Sequence, residues 1–253
     1  MINTVYRLAE PRRFEIAFED IELFGQNAIV RPTHLSICNA DMRYYLGTRD
    51  PKVLAQKLPM ALIHEGIGKV VFDPTGTFKS GDRVVMVPNA PCEKDDYIAE
   101  NYLKTSKFCG SSMDGFLQEY VEISPKRLVP LPQGINLNVA AFTEIVSVSV
   151  HAITRFNKIA HARRERIGVW GDGNLGYITA LFLKKTFPQS QIFVFGKTYG
   201  KLSDFTFADA TYAVNAIPGG LTVDHAFECV GGNGSPVAIE QIIDLIKPEG
   251  TIS

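Results

Sequence analysis

Three side chains of the types that bind zinc occur in separate segments of the sequence. Cys38, His64 and Glu144 offer a thiolate, an imidazole and a carboxylate, the donors that zinc prefers in proteins. A catalytic zinc site keeps one position open, so three protein ligands are enough to hold the ion. The alternative for each residue taken singly is a structural or exposed side chain, because ligands from distant loops leave no diagnostic spacing. The residue types therefore indicate a metal site only if the fold brings them together.

A glycine-rich loop is the second feature that could do chemistry. It follows the short apolar run 166–170 and precedes the helix-forming run 177–185, which is the context that a dinucleotide-binding loop needs. Its glycines allow a tight turn, the approach of a pyrophosphate to backbone amides, and close packing of helix on strand. The free amides and dipole of the helix N-terminus then hold the phosphates. The predicted cofactor-binding residues of the loop are Gly171, Gly173, Asn174, Leu175 and Gly176. The alternative is a glycine-rich loop without a ligand.

The segment after the next predicted strand indicates which cofactor is bound. An acidic residue is expected there, roughly 20 residues after the loop, when the cofactor is NAD. This sequence has Gly196 followed by Lys197 and Lys201 instead. A carboxylate would repel a 2′-phosphate, whereas a small residue and cations accommodate it, so the segment favours NADP. The alternative is that the two lysines only solvate a surface loop.

Two regions of the chain differ in their pattern. Up to about residue 135, short apolar runs between Gly and Pro residues indicate a barrel-like or sandwich-like β body, with predicted strands at 27–32, 68–72 and 82–87. From about residue 136 helical spacing begins, with predicted helices at 138–156, 177–185 and 237–246 and predicted strands at 166–170, 191–195, 224–229 and 250–253. This alternation of strands and helices indicates a parallel sheet. Residues 247–253 resemble the turn into a strand that stops inside it, so we expect an incomplete C-terminal domain.

Composition excludes several classes of protein. The 253 residues have a formal net charge of -1, so no overall field favours nucleic acid or an anionic membrane. The first 20 residues lack the layout of a signal peptide, and no apolar run approaches membrane-spanning length. Four widely spaced cysteines indicate a reduced, intracellular protein rather than a disulfide framework. We therefore expect a cytoplasmic protein.

The order of the motifs resembles that of the zinc-containing medium-chain alcohol and polyol dehydrogenases across essentially the whole chain. The motifs are Cys-x-x-Asp at 38–41, His-Glu-Gly-x-Gly at 64–68, Ala-x-x-Glu at 141–144 with Ser147, His151 and Ala152 after it, and the glycine-rich loop. The resemblance implies an α/β protein with a GroES-like, mostly β catalytic domain over 1–150 and a Rossmann domain over 151–253. It implies a catalytic zinc at Cys38, His64 and Glu144, with Glu65 as a ligand or an exchanging neighbour. It also implies that Asp41 orients the histidine ligand and that Val230 contacts the cofactor.

The sequence resembles one branch of that family, the bacterial ribulose-5-phosphate reductases or ribitol-5-phosphate dehydrogenases, more closely. The segments that support this are 36–45, 56–60, 98–103, 170–180 and 224–232. The resemblance implies reduction of D-ribulose 5-phosphate to D-ribitol 5-phosphate with NADPH. A cytidylyltransferase would then convert the product to CDP-ribitol for teichoic acid or capsule polymers of the cell wall. The resemblance further implies a homodimer and an association with that cytidylyltransferase.

The sequence departs from the wider family in two places that bear on chemistry. A structural zinc needs four closely spaced cysteines, but only Cys92 and Cys109 lie in that region, so we expect one catalytic zinc and no structural zinc. Ala40 stands where a hydroxyl residue usually relays a proton, so we expect water or a cofactor hydroxyl to supply the proton.

A phosphorylated substrate requires cations near the catalytic site. The candidates that follow the cysteine ligand are Arg43, Arg49 and Lys57; the alternative is that they belong to a solvated loop. Two other functions stay open at this point. One is an NAD-linked dehydrogenase of the sorbitol type, and the other is an inactive nucleotide-binding subunit. Zinc content separates the last from an enzyme, since an inactive subunit has no reason to keep the metal ligands.

Overall fold

The computed structural model describes residues 1–23 and 25–253 and divides into two compact units, Met1–Glu144 and Ile145–Ser253. Helix α4, Thr143–Ile159, runs through the position where we expected one domain to end at residue 150 and the next to begin at 151. That boundary stays a prediction. No helix in the described residues is both long and apolar enough to cross a membrane.

The first unit is mostly β. Its strands are β1 (Ile2–Glu10), β2 (Arg13–Asp20), β3 (Ala28–Ser36), β4 (Met60–Ala61), β5 (Glu65–Phe72), β6 (Arg83–Met86), β7 (Asn89–Ala90), β8 (Lys107–Phe108), β9 (Val121–Ile123) and β10 (Leu128–Pro130). Its short helices are α1 (Asn39–Tyr45), α2 (Pro51–Lys57) and α3 (Leu137–Ala140), with 3-10 turns at Glu100–Tyr102 and Pro125–Arg127. The strands predicted at 27–32, 68–72 and 82–87 correspond to β3, β5 and β6.

Antiparallel pairing determines which ends of these strands meet. The main sheet has the order β10-β6-β5-β3-β9, a smaller sheet has the order β2-β1-β4, and β7 pairs with β8. Fully buried side chains such as Leu8, Val30, Met86 and Phe116 form the core between these strands. The sheets leave the segments after β3 and before β5 at one end of the body.

The second unit is a parallel sheet with helices on both faces. Its elements after α4 are β11 (Arg166–Trp170), α5 (Asn174–Thr186), β12 (Gln191–Gly196), α6 (Tyr199–Leu202), β13 (Ala210–Ala213), β14 (His225–Glu228), a 3-10 turn (Gly232–Gly234) and α7 (Ser235–Leu245). The strand order is β13-β12-β11-β14. Ile167 and Val169 of β11 pack with residues of α4 and α5, whereas Trp170 packs with residues of α7. Burial on both faces explains why β11 is apolar throughout its second half.

The predicted fold class, a GroES-like domain followed by a Rossmann domain, is confirmed. Some element bounds differ from the prediction. The helix predicted at 138–156 is two helices, because the chain turns at Ala141 and Phe142 between α3 and α4. The strand predicted at 250–253 is a single parallel bridge between Ile252 and Ala226.

Candidate active site

The register of β3 against β5 brings two of the predicted zinc ligands together. Ser36, the last residue of β3, pairs with Glu65, the first residue of β5. Cys38, two residues after the end of β3, therefore lies beside His64, which directly precedes β5. Donor atoms of Cys38, His64 and Glu65 all lie within 4.8 Å of one another. His64 and Glu65 are buried and Cys38 is half-buried, so the cluster is largely shielded from water.

A single carboxylate holds the backbone on both sides of this cluster. Asp41 is buried in the first turn of α1. Its Oδ2 accepts a hydrogen bond from the amide of Cys38 at 2.9 Å, and its Oδ1 accepts one from the amide of Ile63 at 3.0 Å. The same Oδ1 lies 3.8 Å from Nδ1 of His64, which is too long for a hydrogen bond. Asp41 therefore positions His64 through the residue that precedes it, rather than through the imidazole ring.

Ile63 has a backbone conformation that its surroundings enforce. Its φ is 73°, a left-handed value that is unfavourable for a β-branched residue. The amide of Ile63 is bound by Asp41, and its carbonyl accepts a hydrogen bond from the amide of Phe116 at 2.7 Å. A Cβ at Gly115 would lie 2.2 Å from that carbonyl oxygen, so only glycine fits there. Several neighbouring contacts thus hold Ile63 in this unfavourable conformation, as is common at functional sites.

The site contains more negative charge than its burial can stabilise. Burial, together with repulsion from Glu65 and Asp41, raises the pKa of Glu144 to about 7. Burial is also the largest cause that raises the pKa of the Cys38 thiol to about 11. Oε1 of Glu65 is buried without a hydrogen-bond partner among the described residues, a costly arrangement unless a cation binds there. The donor set of thiol, imidazole and carboxylate fits a zinc ion.

Glu144 lies near this cluster without belonging to its innermost group. It is a half-buried residue in the first turn of α4, and its pKa responds to both Glu65 and Asp41. Among the described residues, the group whose donors lie within 4.8 Å of one another is Cys38, His64 and Glu65. All four residues, Cys38, His64, Glu65 and Glu144, were predicted from the sequence. The sequence left open whether Glu65 is a ligand or a neighbour, and the structure places it in the innermost group.

Two departures from the wider family are visible in the same unit. Ala40, the second residue of α1, has no hydroxyl that could relay a proton. Cys92 is exposed, whereas Cys109 is buried and lies 3.5 Å from a guanidinium nitrogen of Arg127. The expectation that this region holds no structural zinc stays a prediction.

Two of the three candidate phosphate ligands share an unusual environment. The Nε atoms of Arg43 and Arg49 are both buried, and neither has a hydrogen-bond partner among the residues that the structure describes. Arg49 stacks its guanidinium on the ring of Tyr44 at 4.4 Å, which fixes its direction. Lys57 is the last residue of α2, and no contact in the described part of the chain joins it to the arginines. A nearby anion would offset the cost of these two unpaired Nε donors.

The glycine-rich loop of the second unit has the geometry that its sequence predicts. Gly171 has a φ of 127°, and its amide donates to the carbonyl of Phe195 at 2.8 Å. A Cβ at Gly176 would lie 2.0 Å from the carbonyl oxygen of Gly171, so the helix can pack on the strand only with glycine there. Gly173 is the N-cap of α5, has no side-chain cap, and faces open space. Free amides at an open helix N-terminus fit a pyrophosphate.

A pocket of about 570 Å³ adjoins this loop. Its lining residues are Asp172, Gly173, Asn174, Tyr177, Lys201, Asp204 and Phe205. Lys201 was predicted from the sequence to face a 2′-phosphate, and it lines the pocket. Lys197 is exposed in the turn after β12, and Leu175 is half-buried in the first turn of α5.

Sequence reasoning missed the role of Asp172. Its Oδ2 accepts hydrogen bonds from the amides of Lys197 at 2.9 Å and Thr198 at 2.7 Å. A Cβ at Gly196 would lie 2.7 Å from Cβ of Asp172. Asp172 therefore leaves no room at residue 196 for the acidic side chain that is expected with NAD. The only signal in the sequence was an acidic residue between the first two glycines of the loop.

The loop that contains Val230 is held in a similar way. Oε1 of Glu228, the last residue of β14, accepts hydrogen bonds from the amides of Val230 at 2.7 Å and Gly231 at 2.9 Å. Its Oε2 accepts one from the hydroxyl of Ser235 at 2.9 Å. Val230 is thereby fixed at the carboxyl edge of the sheet, where ligands bind in open parallel sheets.

Comparison with known proteins agrees with this geometry. Residues 25–133 match the model of the alcohol dehydrogenase GroES-like domain. The whole chain is 57% identical to ribulose-5-phosphate reductase of Bacillus spizizenii and to ribulose-5-phosphate reductase 1 of Staphylococcus aureus, and it covers 74% of each. The crystal structure of S. aureus TarJ in complex with NADPH matches all of this chain and 72% of its own, at 51% identity and a TM-score of 0.84.

We expect replacement of Asp41 by Ala to loosen both sides of the metal cluster. The change leaves the amides of Cys38 and Ile63 without an acceptor, at a cost of about 3 kcal/mol, or roughly a hundredfold in protection from hydrogen exchange. Hydrogen–deuterium exchange of peptides that cover 36–46 and 60–66 measures this loss. Asp50→Ala is the control, because Asp50 caps α2 through one exposed amide, that of Lys52. Equal local effects of the two changes would contradict the assigned role.

We expect the first unit of the metal-free protein to lose stability as the pH rises. The pKa of Glu144 is about 7 in the fold and 4.5 in its reference state. The folded protein therefore binds more protons in this window, and stability falls from about pH 4.5 to 7 and then levels off. Calorimetric unfolding in chelator measures the trend. Glu144→Gln should flatten it, and an unchanged slope in that variant would show that Glu144 is not the cause.

Proposed function

Because this chain belongs to the ribulose-5-phosphate reductase family of the medium-chain alcohol dehydrogenases, we propose that it reduces D-ribulose 5-phosphate to D-ribitol 5-phosphate with NADPH. The observation that supports this most strongly is the Cys38, His64 and Glu65 cluster, present in a chain that is 57% identical to a named reductase. The enzyme is an oxidoreductase, and its product would serve the synthesis of CDP-ribitol for teichoic acid or capsule polymers.

The residues of the first unit would hold the metal and exclude water. Cys38, His64, Glu65 and Glu144 are the proposed zinc ligands. When bound, zinc supplies a Lewis acid for a substrate carbonyl. Asp41 keeps the cysteine and histidine in place through their backbone, which is the task of an outer-shell residue at a metal site. Burial of His64 and Glu65 keeps the surroundings poor in water, which strengthens electrostatic interactions with a substrate.

The proton for the reduced carbonyl would not come from residue 40. The side chain of Ala40 is a methyl group, which can neither donate nor accept a proton. Water or a cofactor hydroxyl is therefore the proposed proton source. This differs from family members that have a hydroxyl side chain at that position.

The residues of the second unit would bind the cofactor. When bound, NADPH supplies the hydride. The amides of Gly173, Asn174 and Leu175 at the start of α5 would hold the pyrophosphate, and Gly171 and Gly176 make that approach feasible. Lys197 and Lys201 would favour a 2′-phosphate, and Val230 would contact the cofactor at the carboxyl edge of the sheet.

The alternatives from the sequence are less well supported. Sorbitol dehydrogenase 1 of Saccharomyces cerevisiae is 30% identical over 85% of this chain, well below the identity to the reductases. An inactive nucleotide-binding subunit would not need a buried, unpaired Glu65 oxygen next to a cysteine and a histidine. A homodimer, a complex with a cytidylyltransferase and a cytoplasmic location are further parts of the proposal. Light scattering of the protein, alone and with a ribitol-5-phosphate cytidylyltransferase, tests the first two.

The substrate is tested by NADPH oxidation with a panel of ketoses. We expect ribulose 5-phosphate to be reduced far more efficiently than ribulose, with ribitol 5-phosphate as the product. Arg43→Ala or Arg49→Ala should weaken the apparent affinity for the phosphorylated ketose by about tenfold to a hundredfold, through loss of a charge-assisted contact. Arg155→Ala, at an exposed position of α4, is the control. Equal efficiency on the two ketoses would refute the phosphate site.

The metal is tested by elemental analysis. We expect one zinc per chain, and Cys38→Ser should lose most of it, because a neutral hydroxyl is a far poorer ligand than a thiolate. Cys92→Ser is the matched control and should keep the metal. Two zinc ions per chain would overturn the expectation that the structural site is missing, and none would overturn the zinc-dependent mechanism.

A further inference from the structure

The turn that follows β12 is held by a side chain from a different loop. The amides of Lys197 and Thr198 both donate to Oδ2 of Asp172, and Asp172 lies between the first two glycines of the dinucleotide loop. The neighbouring backbone is fixed as well, since the amide of Gly171 donates to the carbonyl of Phe195. The carboxyl ends of β11 and β12, which pair in register at Trp170 and Phe195, are thus joined through Asp172.

The packing around Gly196 shows that Asp172 leaves no space for the acidic side chain that is expected at the end of β12 when the cofactor is NAD. A Cβ at Gly196 would lie 2.7 Å from Cβ and 2.9 Å from Oδ2 of Asp172, and 2.8 Å from Cδ2 of Leu202. A side chain at residue 196 and the observed position of Asp172 are therefore incompatible. Because Asp172 occupies the space beside residue 196, an acidic side chain does not fit at the end of β12 while Asp172 keeps its observed position.

The held turn leads directly into the helix that presents a cation to the pocket. Thr198 is the N-cap of α6, and Lys201 lies in its last turn and lines the pocket. α6 is only four residues long and its N-cap makes no side-chain hydrogen bond. Its position therefore depends on the turn that precedes it, and so on Asp172.

The charge and the geometry of Asp172 act in opposite directions. A carboxylate beside the pocket repels a 2′-phosphate, whereas the hydrogen bonds of that carboxylate hold the turn that leads to Lys201, a cation that lines the pocket. We propose that Asp172 is a positioning residue whose acceptor oxygen, by holding the turn at Lys197 and Thr198, sets the preference for a 2′-phosphorylated cofactor. This inference rests on the proposed use of NADPH and names the residue that sets the selectivity of that site.

Two variants separate the acceptor from the charge. Asp172→Asn keeps a carbonyl oxygen that can accept both amides and removes the negative charge. Asp172→Ala removes both. The control is Asp244→Ala, because Asp244 is an exposed aspartate of α7 and does not line the pocket.

The probes are 2′,5′-ADP and 5′-AMP, which differ only in the 2′-phosphate and need neither zinc nor a substrate. Calorimetric titration gives the ratio of their affinities for each variant. We expect the unmodified protein and Asp244→Ala to prefer 2′,5′-ADP, and Asp172→Asn to keep or increase that preference. Asp172→Ala should reduce the ratio by about tenfold, mostly through weaker binding of 2′,5′-ADP.

The outcomes distinguish this inference from the proposed function. No preference in the unmodified protein would overturn the NADPH assignment and the inference together. A preference that survives in Asp172→Ala, or an equal loss of affinity for both probes, would overturn only the inference, since a merely structural role weakens both probes alike. A loss of preference in Asp172→Asn equal to that in Asp172→Ala would also overturn it.

Discussion

The catalytic unit depends on the buried carboxylate of Asp41, whose two oxygens are bound by backbone amides from two different segments. One segment supplies Cys38 and the other supplies His64 and Glu65. Without that carboxylate, the amides of Cys38 and Ile63 would be unpaired, and the left-handed conformation of Ile63 would lose one of its supports. Asp41 thus fixes the backbone on both sides of the proposed metal donors, which would reduce the ordering that metal binding must impose.

That preorganisation has an electrostatic cost. Asp41, Glu65 and Glu144 concentrate carboxylates in a poorly hydrated region, and the raised pKa of Glu144 is the direct consequence. A divalent cation held by Cys38, His64 and the carboxylates would offset this repulsion and would favour the thiolate form of Cys38. Metal binding, protonation and local stability would thus be linked at one site, and we expect bound metal to stabilise the fold at neutral pH.

In the second unit, carboxylates likewise hold backbone amides at the proposed cofactor site. Asp172 and Glu228 each accept hydrogen bonds from the amides of a loop at the carboxyl edge of the sheet. Carboxylate acceptors satisfy several amides at once, and their charge strengthens each bond. Both loops lie at the carboxyl edge of the sheet, where a dinucleotide binds in such sheets, so we expect these side chains to fix the backbone beside the cofactor.

The sequence predicted the elements better than the contacts that join them. The bounds of β11 were predicted to the residue, because an apolar run between polar residues and glycine leaves little freedom. The zinc donors were recognisable by type, but their convergence follows from the pairing of Ser36 with Glu65, which a single strand pattern does not reveal. Asp172 was overlooked because its partners are backbone amides. Since nearly every residue has such an amide, the sequence does not indicate which amides a side chain binds. For the same reason, Gly196 was interpreted as space for a phosphate rather than as space for an aspartate.

If Asp41 holds Cys38 and His64 in place for zinc through its two backbone hydrogen bonds, its removal should change the zinc coordination, which X-ray absorption at the zinc edge measures. The spectrum gives the number of sulfur and of nitrogen or oxygen neighbours, in the unmodified protein and in Asp41→Ala. We expect one sulfur neighbour, with nitrogen and oxygen in the remaining positions, and a disordered or depleted shell in the variant. A shell with several sulfur neighbours, or an identical and fully occupied shell in Asp41→Ala, would contradict it.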